Sequence, residues 1–137
     1  MKRVITVVLL TLTLVSCSLD SDNDNIVVVV LPVKSYEVPE FFNYGETHAL
    51  KVTYDLPDGC HSFYRLYYQQ QDTARVVAIE ALKNLDATCT EQIIEKEHEF
   101  NVSVSQREDY LFKFWKGKDS NNEDIFEEVT IPVVNPN

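Results

Sequence analysis

The sequence predicts an all-β fold, an antiparallel sandwich of about seven strands. Three observations carry that expectation. Apolar and polar residues alternate over several stretches, as in Leu50, Val52, Tyr54 and Leu56, and a period of two marks a strand with one buried face. Turn-forming clusters such as Pro57-Asp58-Gly59 separate these stretches at roughly regular intervals. No segment sustains the 3.6-residue apolar spacing of an amphipathic helix over several turns.

The first element in chain order is not part of that domain. Lys2 and Arg3 precede an apolar run from Val4 to Val15, interrupted only by Thr6, Thr11 and Thr13. A bilayer core takes roughly 20 apolar residues in a helix, so the run is too short to span it stably. A basic start, a short apolar core and then small residues form a secretory signal. The closing residues Leu14-Val15-Ser16-Cys17 resemble the lipobox of bacterial lipoprotein precursors. The resemblance implies cleavage between Ser16 and Cys17, lipidation of the Cys17 thiol and acylation of the new amino group. Each buried CH₂ contributes about 0.8 kcal/mol, so two or three chains anchor far more firmly than one. The expected address is the cell envelope, at the outer membrane and exposed at the surface. The membrane partner is reached through the lipid on Cys17.

Residues 1–16 are then a cleaved signal helix, 17–25 a lipidated tether and 26–137 a single domain. The tether carries Asp20, Asp22 and Asp24 among polar neighbours. It has too little apolar surface to offset the entropy of ordering. Acidic residues directly after a lipidated cysteine also resemble the export signal of surface-displayed lipoproteins in the Bacteroidota. The segment lacks the glycine turn and distal glutamate of an EF-hand loop, which argues against calcium.

Ile26 to Val33 is β-branched and too short to cross a bilayer. It reads as a buried or edge strand ending near Pro32. Residues 34–45 read as an irregular connector whose aromatics cap the core. His48 to Leu56 and His61 to Gln69 follow as strands around the Pro57-Asp58-Gly59 turn, and residues 70–73 form a polar turn. Ala74 to Asn84 has both helical and strand spacings, and its β-branched content tips it towards strand. Thr88-Cys89-Thr90-Glu91 has the form of a capping box, so a short helix over 91–97 is the minority alternative. Phe100 to Ser105 and Tyr110 to Trp115 alternate as strands, residues 117–124 form a polar hairpin loop, and Ile125 to Val133 mark the last strand. Strand count and spacing point to an immunoglobulin or fibronectin type of sandwich. Glu108-Asp109-Tyr110 before a strand also resembles the tyrosine corner of those folds. The segment Phe112 to Asp119, followed by Ile131-Pro132-Val133, resembles uncharacterised small lipoproteins of the Bacteroidota, a likeness that implies no activity.

Composition bounds the function. The chain has 12 basic and 22 acidic residues. Lys2 and Arg3 leave with the signal, giving 10 − 22 = −12 for the mature chain. Such a chain repels phosphate backbones, so nucleic acid is not an expected partner. With Cys17 lipidated, Cys60 and Cys89 remain as an even pair in an oxidising compartment, and a disulfide is expected. Free thiols, or a metal trio of Cys60, His61 and Cys89, stay open as alternatives, although the spacing is not of the CxxC type.

No catalytic constellation is visible, and the protein is read as non-catalytic, without cofactor or metal. His48, His61 and His98 lie in three different segments. Glu95-Lys96-Glu97-His98 contains a Glu-x-x-His, but a dimetal site needs that motif on facing helices. No G-x-S-x-G elbow occurs, and three glycines do not make a phosphate-cradling loop. Tyr64, Tyr67, Tyr68 and Trp115 cannot all be core if strands alternate. They either pack beneath the Ile26–Val33 segment or form an exposed row for a sugar or a protein. Asp72-Thr73-Ala74 resembles the O-glycosylation signal of secreted Bacteroidota proteins, which would modify Thr73. The leading expectation is a lipid-anchored envelope module that binds or builds. A glycan-binding accessory lipoprotein and a small inhibitor of an envelope-acting hydrolase are the alternatives.

Overall fold

β-branched and aromatic residues at alternate positions build ten strands in the computed structural model, which describes residues 25–135. The expected signal peptide, Cys17 and the tether up to residue 24 lie outside the described residues. In chain order the strands are β1 (Ile26–Leu31), β2 (Ser35–Glu37), β3 (Phe42–Asn43), β4 (Thr47–Leu56), β5 (His61–Gln71), β6 (Ala74–Asn84), β7 (Ile94–Ser103), β8 (Tyr110–Lys118), β9 (Asp124–Ile131) and β10 (Val133–Val134).

β6 organises the larger, five-stranded sheet. β5 pairs along one edge of β6. The other edge is shared: β1 runs antiparallel beside Ile79–Asn84, and β8 runs parallel beside Ala74–Val77. β9 continues the sheet beyond β8. The second sheet is β2-β4-β7, and the parallel pair β3–β10 is separate. The chain changes sheets around Pro32. Val33 N donates to Trp115 O at 2.9 Å, and Lys34 N donates to Thr53 O at 2.7 Å, so neighbouring residues are tied to opposite layers.

The core lies between the layers, making the fold a β-sandwich. Leu50, Val52, Tyr54 and Leu56 of β4 meet Val77, Ile79 and Ala81 of β6 and Phe112 and Phe114 of β8. Tyr36 stacks on Phe114 with ring centroids 4.2 Å apart. Each fully buried Val, Leu, Ile or Phe side chain here contributes about 1.5–3 kcal/mol. Tyr110 is buried, and its hydroxyl accepts the Ser105 backbone N–H at 3.1 Å, as the tyrosine-corner pattern predicts.

One alternative is closed and two local expectations are corrected. Ala74–Asn84 is strand throughout, but Thr88 to Glu91 caps no helix; residues 85–93 are irregular and strand resumes at Ile94. Cys89 is covalently held, and Gly59 N donates to Thr90 O at 2.9 Å, so this segment is pinned across the Pro57–Gly59 turn. A Cβ on Gly59 would crowd the Thr90 hydroxyl, so a side chain there would require Thr90 to shift. The 34–45 connector contains β2 and β3, with Phe42 buried and Phe41 exposed. The last strand divides at Pro132, which has no N–H to continue a ladder.

Candidate ligand-binding groove

The outer face of a sheet ordinarily carries polar side chains, yet residues 74–81 of β6 are buried throughout. Val77, Ile79 and Ala81 face the core. Val76 and Ala78 alternate with them and line a groove of about 700 Å³ on the opposite face. Its origin is the divided edge of β6. β8 pairs with β6 only as far as Phe114, and β1 takes over that edge from Leu31.

Each neighbouring strand supplies part of the wall. Val29 and Val30 come from β1, Tyr67 and Gln71 from β5, Trp115 from β8 and Phe126 from β9. Trp115 and Phe126 are cross-strand partners. A register shift between Trp115 and Gly117 is accommodated by Gly117 at φ 115°, a backbone conformation that disfavours a side chain. The volume falls in the range of small-molecule clefts, about 300–1,000 Å³.

The charged groups lining the groove have partners within the fold. Glu80 pairs with Arg65, Lys113 with Glu128 at 3.4 Å and Lys118 with Asp124 at 2.9 Å. Trp115 Nε1 donates to Asp124 Oδ1 at 2.9 Å, fixing the indole by its edge. The Lys118 ammonium, and then this indole N–H, hold the Asp124 carboxyl below its ordinary value.

The four aromatics singled out from sequence separate. Tyr67 and Trp115 enter the groove. Tyr68 turns to the other face and meets Phe100, with centroids 5.9 Å apart. Tyr64 sits at a second register shift, between Phe63 and Arg65, exposed beneath the Arg65 guanidinium at 5.2 Å. Val29 and Val30 lie in the Ile26–Val33 segment that was one expected cover for these aromatics, whereas Phe126 was not anticipated. Its only sequence signal is an apolar residue on the solvent-facing phase of a strand.

The remaining candidates have other settings. Cys60 and Cys89 form a disulfide with Cα atoms 5.1 Å apart. Asp58 lies against it, but both sulfurs of the possible metal trio are spent in that bond. His61 Nδ1 instead pairs with Asp58 at 2.6 Å. His48 Nε2 accepts the Asn43 N–H at 3.1 Å, and His98 stacks on Phe63. Glu95 bonds Lys34, so the Glu-x-x-His pair is not gathered at one site. Thr73 occupies the β5–β6 turn, beside Asp72 at φ 56°.

These layers and their core define the chain as an all-β sandwich module. Residues 50–131, more than half of the chain, match the ORF11 β-sandwich domain family. The protein belongs to that family. The match runs from β4 to the end of β9 and therefore includes Tyr67, Trp115 and Phe126, whereas the β1 wall lies outside it. No curated protein and no solved structure matches the chain.

Proposed function

We propose that the protein is a lipid-anchored, non-catalytic module of the bacterial cell envelope that binds a ligand on the outer face of its larger sheet. The observation that carries the binding role is the groove, which collects Tyr67, Trp115 and Phe126 where a solvated sheet face would be polar. The anchor is supported by the lipobox-like Leu14–Cys17 behind a short apolar run and by the acidic segment that follows. Outer-membrane and surface display follow from the same features.

Glu80 and Asp124 both line the groove, and a carboxylate pair is the raw material of glycoside hydrolysis. Such chemistry needs one carboxyl kept protonated as the acid. Asp124 is held ionised by Lys118 and Trp115, and Glu80 is engaged by Arg65. This favours binding without catalysis.

The test has two arms. Cells expressing the full chain are fed an alkyne palmitate analogue; wild type takes up label and Cys17→Ser does not. Unlabelled wild type refutes the anchor. Trp115 is the single tryptophan, so its emission reports on the groove alone. An uncharged apolar dye, N-phenyl-1-naphthylamine, is expected to quench it, and Val30→Lys, at an exposed wall position, to weaken the quenching. Emission unmoved by the dye refutes the groove as a binding site.

A further inference from the structure

Resting on that binding reading, we infer that the groove takes an uncharged glycan chain, with Trp115 as the stacking platform for a pyranose ring. Three features of the lining select this chemistry.

The first is the pairing of surfaces. A pyranose presents an apolar C–H face and a girdle of hydroxyls. The groove offers the aromatic surfaces of Trp115, Tyr67 and Phe126 over the short side chains of Val76 and Ala78. Gln71, Glu80 and Lys113 stand among them. An acyl chain would cover the Gln71 amide without a partner and strip water from the paired Glu80 and Lys113, at a desolvation cost. Sugar hydroxyls both donate and accept, and so can pair with all three.

The second is charge. Glu80, Lys113, Lys118 and Asp124 contribute two negative and two positive charges, and each has an opposite partner. No lining charge is left to recognise a phosphate, a uronate or a charged peptide. Binding an ion here would require breaking one of these pairs. The neutral lining complements a neutral ligand.

The third is shape and order. The groove is partly open to solvent, which leaves room for a polymer to continue past it. Its β1 wall extends to Val28, 53% exposed beside Val30 at 47%, so apolar surface continues past the cleft. The indole is edge-bonded to Asp124. It is thereby held for stacking before a ligand arrives, and less entropy is lost on binding.

Affinity electrophoresis tests this with soluble mixed-linkage β-glucan, xyloglucan, galactomannan and dextran, and with polygalacturonate as the charged polymer. At least one neutral polysaccharide is expected to retard wild type and Tyr64→Ala, whose ring lies outside the groove. Trp115→Ala and Val30→Lys should each weaken that retardation at least about tenfold, a loss of ~1.4 kcal/mol. Val30→Lys leaves the core intact and covers the case of an unfolded Trp115→Ala. Added polysaccharide should also shift wild-type Trp115 emission. Retardation by polygalacturonate alone, or retardation unchanged in both groove variants, overturns the inference. Dye quenching without retardation by any polysaccharide overturns the glycan and leaves the binding groove standing. Neither signal overturns both.

Discussion

Replacing both Cys60 and Cys89 with serine should cost close to the full chain-entropy value of the crosslink. The bond joins positions 29 residues apart. With ΔS ≈ −2.1 − 1.5R ln n, that separation gives about −12 cal/mol/K, or about 3.6 kcal/mol at 25 °C. For a domain of this size, with an unfolding entropy of roughly 2.1 cal/mol/K per residue, the loss corresponds to a melting point lower by about 15 °C. Backbone bonds flank the crosslink: Gly59 N to Thr90 O at 2.9 Å and Asn84 N to Cys60 O at 3.0 Å. They persist in the variant and set 3.6 as the ceiling. The structural effect should be local as well, because residues 85–93 have no strand partner and depend on this end of the sandwich. Urea unfolding gives the free energy, and amide exchange locates the loosening at 85–93 while β6 stays protected. A loss below about 1 kcal/mol, or exchange raised evenly across both sheets, refutes the reasoning. Mass spectrometry finding two alkylatable thiols in non-reduced wild type would refute its premise.

Tyr110→Phe removes the acceptor for the Ser105 N–H and should destabilise by about 0.5–1.5 kcal/mol in urea, the net contribution of one hydrogen bond whose donor water can reach; an unchanged midpoint contradicts the corner's role. The Asp58 carboxyl is held below its ordinary 3.8, first by the His61 hydrogen bond and, against the opposing push of burial, by the Cys60 N–H. A depressed folded value contributes stability above 3.8 that is lost as pH falls through and beneath it. The stability gap between wild type and Asp58→Asn should therefore narrow from about pH 5 to about pH 3, and a pH-independent gap refutes this linkage.

How much of this was legible in sequence depended on whether the signal was local. The β4 alternation names its own buried face, and Leu50, Val52, Tyr54 and Leu56 are all buried. The tyrosine corner spans only a few residues, and Tyr110 satisfies it. Ala74–Asn84 carried two periodicities because both of its faces are covered, one by the core and one at the groove floor, so neither pattern stood out. The Thr88–Glu91 capping box failed because a covalent bond at Cys89 and the contact with Gly59 outweigh a helix start worth about 1 kcal/mol. The groove itself was half readable. Alternation showed that the tyrosines could not share one face, but the shift between Phe63 and Arg65 decides which faces where, and no spacing reveals a bulge. Val30 and Phe126 come together only through pairings across most of the chain.

β1 has a mechanical consequence. Asn25 O accepts the Leu85 N–H at 2.8 Å, and the six residues that follow pair antiparallel with Asn84 back to Ile79. Tension applied upstream of residue 25 enters the domain through this strand, which also supplies one flank of the groove. A pull along the strand axis loads the whole ladder in shear, whereas a pull across it peels the bonds singly from Ile26. Cargo held against Val30 would thus drag on the same hydrogen bonds that carry a pull on residue 25, and the direction of that drag sets the force at which they give way.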